Sequence, residues 1–187
     1  MKKSLRTLLS MFLVFTLIFA NGIIPVNAGV IYGAVDNYYD DVLNGDCEIY
    51  GNIIWTYDEL NKELIVGGKG TMPDFTVGNR PWEEYADIAE LVTIAGDITS
   101  VGEYAFADFS AMDVLRFMAD VTVIQPYAFS DCTVLDTIHM PPSVKTIASY
   151  AFQNSTKVWA VHYEGSSSEA SSINYTTNTF FEKQILL

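Results

Sequence analysis

The chain of 187 residues carries 23 acidic and 10 basic side chains, and its formal net charge at pH 7 is −13. A surface this acidic repels nucleic acid and anionic lipid, which excludes a nucleic-acid partner. The length suffices for one domain or one repeat array with its own core, and two full domains would be crowded.

Residues 1–28 have the pattern of a secretory signal peptide. A basic start precedes an apolar run from Leu8 to Ala20, which is shorter than the ~20 residues of a spanning helix, and Val26-Asn27-Ala28 offers small residues for cleavage. Cleavage after Ala28 would remove basic side chains and no acidic one, so the mature chain would be more acidic still. We expect a secreted, extracellular or surface-associated protein without stable membrane insertion. The alternative is an uncleaved signal anchor.

Residues 29–46 form an acidic N-terminal segment that continues into Cys47. Its acids invite comparison with a calcium loop, and Asp40 taken as the first position correctly places Gly45 as the sixth. Gly51, however, stands where that loop needs its bidentate glutamate. A solvated segment without a metal is the preferred interpretation.

Residues 47–87 are predicted to form a β-hairpin cap. Two strands, Asn52 to Tyr57 and Glu63 to Gly67, flank the turn-rich connector DELNK. Their apolar side consists of Trp55, Leu64 and Val66. Such a hairpin would cover the first coil of a repeat array, whose exposed end is prone to aggregation. Trp82 is expected to pack in the core at the same end of the array.

Residues 88–166 contain a repeat with a period of 23 residues. Three units follow one another without a gap after a leading half unit, residues 88–97. The units are ITSVGEYAFADFSAMDVLRFMAD, VTVIQPYAFSDCTVLDTIHMPPS and VKTIASYAFQNSTKVWAVHYEGS. No unit of this size buries both its sides alone, so the units must stack and share one core.

Apolar columns show how each unit is built. Two columns lie two residues apart, which is the period of a strand with one buried face. They are Val92, Leu115, Ile138 and Val161, and then Ile94, Phe117, Met140 and Tyr163. In the triplet YAF we expect Phe to fill the core, Ala to allow close approach and Tyr to lie at the surface of a short helical turn.

Cys47 and Cys132 allow one disulfide in an oxidising compartment. Cys132 aligns with Phe109 and Ser155 of the neighbouring units, so a buried thiol that packs as a small hydrophobe is preferred.

Residues 167–187 form a C-terminal cap or tail. A serine-rich stretch suggests a loop, after which Ile173 to Thr176 and Phe180 to Leu187 could add strands that close the far end of the array. A linker is the alternative.

The repeats resemble the leucine-rich repeats of the BspA-like family, and the unit from Val121 to Ser143 is the closest match. The hairpin segment looks like the one that often precedes such arrays, so the resemblance covers about residues 47–166. It implies a leucine-rich-repeat solenoid, β-rich with short helical turns of the α/β horseshoe type, capped by an N-terminal β-hairpin. It also implies a surface or secreted protein with an adhesion or host-binding role.

One outward column of the strand face is the candidate ligand-binding site: Thr93, Arg116, His139 and His162. The column gathers positive charge on an acidic protein, and its two imidazoles should lie about 4.8 Å apart. Nearby residues do not complete a ligand set for a metal shared by the histidines, and a thiol dyad of Cys132 with His139 would join side chains that face different ways. No cofactor is predicted.

The preferred function is a non-catalytic binding or adhesion module for a host or cell-surface protein or glycan. One alternative is a carboxylate-based hydrolase, for which Glu83, Glu84 and Asp74 are the suggestive acids. Adjacent acids on one strand point to opposite sides, so Glu83 and Glu84 make a poor catalytic pair. Another alternative is a short remnant of a longer surface protein.

Overall fold

A computed structural model describes residues 48–175 and 185–186. The predicted signal peptide (1–28), the acidic segment (29–46) and Cys47 lie outside these residues, so the expectations for them stay predictions. Within the described residues, no helix is both long and apolar enough to cross a bilayer.

The predicted hairpin is confirmed and is joined by a third strand. Strand β1 (Glu48–Tyr50) pairs antiparallel with β2 (Ile53–Asp58), which pairs antiparallel with β3 (Glu63–Thr71). The Asp58 carboxylate accepts the backbone N–H groups of Leu60 and Asn61, which closes the turn between β2 and β3. Trp55, Leu64 and Val66 are buried, as their pattern predicts.

The repeat units form a parallel solenoid in which each coil supplies two strands. The coils contain β4 (Leu91–Ile94) with β5 (Asp97–Val101), β6 (Val114–Phe117) with β7 (Val123–Ile124), β8 (Thr137–Met140) with β9 (Thr146–Ile147), and β10 (Ala160–Tyr163) with β11 (Asn174–Tyr175). Strands β4, β6, β8 and β10 pair in a parallel front sheet, and β5, β7, β9 and β11 pair in a parallel back sheet. The shared core lies between the two sheets.

The second strand of the hairpin is also the first rung of the solenoid. Its residues 63–66 pair parallel with β4 in the front sheet, and its residues 69–71 pair with β5 in the back sheet. Both leading strands are therefore covered, because strand pairing satisfies backbone groups that an open edge would expose.

The YAF triplets stack coil on coil. Phe106, Phe129 and Phe152 are buried, with successive ring centroids 5.4 and 5.1 Å apart. The Phe129 N–H donates to the carbonyl of Ala151 in the next coil, at 2.7 Å. This bond brings the two backbones together, and the small alanine side chain permits that approach. The tyrosines form a half-buried outer stack, Tyr104, Tyr127 and Tyr150.

The segments around YAF are runs of turns rather than the short helical turns expected. Tyr127 and Asp131 have φ angles of 56° and 58°, and the equivalent residues of the other units are also left-handed. Left-handed residues interrupt a right-handed helix, which explains the difference. The two helices of the described residues lie elsewhere: a 3-10 helix at Glu83–Tyr85 and α1 at Ser167–Ala170.

Two short strands extend the sheets at the far end of the array. Strand β11 pairs with β9, and β12 (Ile185–Leu186) pairs with β10. The serine-rich stretch is not only a loop, because Ser166 and Glu169 form a reciprocal capping box that starts α1. A serine three residues before a glutamate is the sequence signature of that box, so this helix was open to prediction.

Candidate ligand-binding strand face

The predicted site residues share one row of the front sheet. Thr93 pairs with Arg116, Arg116 with His139, and His139 with His162, on strands β4, β6, β8 and β10. In β6 and β8 every second residue is buried, so Arg116 and His139 project from the face opposite the core. The constant repeat period places the side chains one above another.

Exposure along this row increases toward the C-terminal end. Thr93 is only 2% exposed, and its hydroxyl donates to the Glu63 carboxylate at 2.6 Å. Arg116 and His139 are half-buried, and His162 is exposed. The accessible part of the row is therefore the patch formed by Arg116, His139 and His162, which we call the basic patch.

The two imidazoles of the basic patch stack on each other. Their ring centroids are 5.1 Å apart and their planes differ by 18°, close to the separation predicted from the strand spacing. Burial lowers the pKa of His139, and the positive charges of His162 and Arg116 lower it further, while Glu164 opposes the shift. The pair can bind an anion once protonated and can donate or accept hydrogen bonds while neutral.

Glu63 and Glu164 are acidic neighbours of this row that the sequence did not reveal. Glu63 belongs to the hairpin, and Ile65 of β3 pairs with Thr93 in a register that falls outside the repeat period. Glu164 follows β10, where its N–H donates to the carbonyl of Met140 at 3.0 Å. The contact between Glu63 and Thr93 falls outside the repeat period, so the alignment of the units does not contain it. Glu164 acts on the row through its charge, which opposes the lowering of the pKa of His139.

Two of the three acids considered for hydrolysis are engaged in structural contacts. Both oxygens of Glu83 accept from the buried guanidinium of Arg80, each at 2.6 Å, and this pairing lowers the pKa of Glu83. Asp74 accepts the backbone N–H of Glu103 at 2.8 Å. Glu84 is exposed beside them. A carboxylate whose pKa is lowered is poorly suited to act as a general acid.

Cys132 is a fully buried free thiol, as preferred from the sequence. Its Sγ donates to the carbonyl of Phe106 at 3.2 Å, away from the strand face that carries His139. Burial raises the pKa of the thiol to about 12, so the thiol stays protonated at neutral pH. Within residues 48–175 and 185–186, no three His, Cys, Asp or Glu side chains converge to hold a metal ion.

Comparison with known proteins identifies the family of the chain. The family model of the BspA type leucine rich repeat region matches residues 84–184, which is more than half of the chain. The chain belongs to the BspA-type leucine-rich repeat family. No match was found among curated proteins.

Two solved structures resemble this BspA-type chain. One is a leucine-rich repeat protein from Eubacterium ventriosum ATCC 27560, with 20% identity, a TM-score of 0.45 and coverage of 64% of this chain and 43% of that one. The other is a leucine rich cell surface protein from Faecalibacterium prausnitzii A2-165, with 18% identity, a TM-score of 0.44 and coverage of 72% and 44%. The chain thus spans less than half the length of either.

Proposed function

We propose that the protein is a secreted or cell-surface binding module, without catalytic activity, that binds an acidic protein segment or a sialylated glycan of a host or cell surface. The observation that carries this proposal is the basic patch, where Arg116 and the stacked pair of His139 and His162 lie in one row of the front sheet. Membership of a leucine-rich repeat family supports a binding role.

Charge explains why this row suits an anionic ligand on an acidic protein. The whole chain has only 10 basic side chains against 23 acidic ones, so a row with one arginine and two titratable imidazoles is locally less acidic than the rest. Parallel pairing fixes the spacing of the three side chains before a ligand arrives. Such preorganisation reduces the entropy that binding must offset.

The test has two stages, both with the full-length chain. A glycan and protein array identifies a ligand, and the triple variant Arg116→Ala, His139→Ala and His162→Ala is then compared with the parent. We expect affinity to fall by roughly fivefold to a hundredfold, because charged interface contacts of this kind contribute about 1–3 kcal/mol together. The double variant Lys145→Ala and Lys157→Ala removes exposed charge elsewhere and should bind like the parent.

Affinity should also rise as pH falls from about 7.5 to 5.5, because the ordinary histidine pKa is about 6.5 and an anion binds the protonated imidazoles more tightly. Since the pKa of His139 is lowered, the rise should continue below about pH 6.5. Because the pKa of His139 is lowered in the folded protein, the unfolded chain binds the proton at a higher pH than the folded chain does. Folding stability therefore declines as the pH falls through this range, and the melting temperature must be measured at each pH.

Unchanged affinity of the triple variant, with an unchanged melting temperature, would falsify the placement of the binding site on the basic patch.

A further inference from the structure

A second surface feature lies where the β2–β3 turn meets the segment that enters β4. It is an open groove of about 420 Å³, and most of its lining comes from the turn and from that segment. The residues used below are Tyr57, Glu59, Lys62, Asp87, Ile88 and Glu90. We call it the junction groove. It shares no residue with the basic patch.

The apolar wall of the junction groove is preformed. The ring of Tyr57 stacks on Tyr85, with centroids 4.7 Å apart and planes 22° apart, and its hydroxyl donates to the carbonyl of Ile88 at 3.3 Å. Ile88 is 47% exposed although it is a large hydrophobic residue. An aromatic ring fixed beside an exposed aliphatic side chain offers contact area for an apolar stem without further ordering.

The polar wall of the junction groove is negative. The ammonium of Lys62 pairs with Glu90, which shows that the chain itself places a cation against this wall. Glu59 and Asp87 have no cationic partner among the described residues. Burial raises the pKa of Tyr57, and the charges of Glu90 and Glu59 add to the shift while Lys62 opposes it. The wall therefore keeps two carboxylates to which a further cation can be drawn.

The acids of the junction groove do not form a metal-binding cluster. Three acids that converge could hold a metal ion, but no such group exists within the described residues. Acids spread around a groove suit a larger, delocalised cation whose several N–H donors reach separate carboxylates. An aromatic ring beside them adds a cation–π contact.

We propose that the junction groove binds a basic side chain, arginine above lysine, presented by a peptide segment of a protein partner. The aliphatic stem lies against Tyr57 and Ile88, and the guanidinium lies between Glu59 and Asp87. The site is complementary in charge to a basic partner, whereas the basic patch suits an acidic one. The two binding proposals can therefore be tested independently of each other.

The probe is a peptide of four Arg-Gly pairs with blocked ends, titrated into the ¹⁵N-labelled full-length chain. Amide shifts should cluster at Tyr57, Ile88 and the adjoining Ala111. The double variant Glu59→Gln and Asp87→Asn should weaken binding about tenfold, as expected for two partly exposed ion pairs. Asn at position 87 can still accept the Ser110 hydroxyl, which contacts Asp87 at 2.7 Å, so the fold should be kept.

Two controls separate this site from general attraction to an acidic protein. The double variant Asp97→Asn and Asp120→Asn removes two exposed acids outside the groove and should bind within about twofold of the parent. A peptide with citrulline in place of arginine keeps the size and loses the charge, and it should not bind. Equal loss in both double variants, or equal binding of the citrulline peptide, overturns the proposal. The triple variant of the basic patch should bind the arginine peptide normally.

Discussion

Two buried side chains at one repeat position bond each coil to the coil before it. Cys132 Sγ donates to the carbonyl of Phe106 at 3.2 Å, and Ser155 Oγ donates to the carbonyl of Phe129 at 2.8 Å. Ser155 Oγ also accepts the N–H of Cys132 at 3.1 Å. In the first unit Phe109 takes this position and packs edge-on against Phe106 instead. A small donor is thus needed only where a carbonyl would otherwise be buried without a partner.

Replacing Ser155 should be costly for this reason. Ser155→Ala leaves a buried carbonyl and a buried N–H without partners, and we expect the free energy of unfolding to fall by about 2–4 kcal/mol. Urea denaturation measures the change. Ser155→Cys restores the donor found at Cys132 and should recover part of the loss.

Ser110→Ala is the matched control for Ser155. Its hydroxyl also bonds to a residue of the preceding coil, Asp87, but Ser110 is exposed and water can replace the lost bond. A fall of less than about 0.5 kcal/mol is expected there. Similar values for the two alanine variants would show that burial of the bonded groups is not what makes position 155 important.

At the scale of elements, the segment that follows β3 packs closely against the first repeat unit and requires a glycine there. The N–H of Met72 donates to the carbonyl of Ser100, and that of Phe75 donates to the carbonyl of Glu103, so the segment lies along the turn after β5. A Cβ atom built on Gly102 would lie 1.8 Å from the carbonyl oxygen of Pro73. Gly102 is therefore required by an adjacent backbone.

Gly102→Ala should displace this segment. A clash with backbone cannot be relieved by a rotamer change, so we expect a loss of about 1–3 kcal/mol in the free energy of unfolding. The matched control is Gln125→Ala, at the equivalent position one coil later, which should change stability by less than about 0.5 kcal/mol. Thermal and urea denaturation of both variants provide the comparison, and a stable Gly102→Ala protein would mean that residues 72–75 do not pack as described.

Sequence periodicity predicts contacts between equivalent residues of successive units. It does not predict contacts with residues outside the repeat. Phe106, Phe129 and Phe152 occupy the same position in successive repeat units, so their stacking and the His139–His162 contact followed from alignment alone. The burial of Thr93 did not, because Glu63, the acid that binds its hydroxyl, lies outside the period. The left-handed tyrosines were also missed, because bulky residues rarely adopt that conformation.

The whole molecule depends on a hairpin that is integrated into the array. The ring of Trp82 stacks on Phe106 with centroids 5.4 Å apart, and its Nε1 donates to the carbonyl of Ala105 at 2.8 Å. This extends the column of phenylalanine rings upstream by one ring. Arg80, 5% exposed, lies over Phe109 and donates to the carbonyl of Ala107. The prediction that Trp82 packs in the core at this end is confirmed.

Deleting residues 47–82 should consequently make the array aggregate. The deletion exposes the edges of both β4 and β5 and uncovers Phe106, and unpaired edges with apolar surface recruit other chains. Light scattering after size exclusion should show oligomers, with a melting temperature well below that of the parent. Deletion of residues 48–50 alone removes β1, whose strand partner is β2, and should leave a monomer. A chain lacking 47–82 that stays monomeric and melts at the parental temperature would mean that the hairpin is a separate appendage.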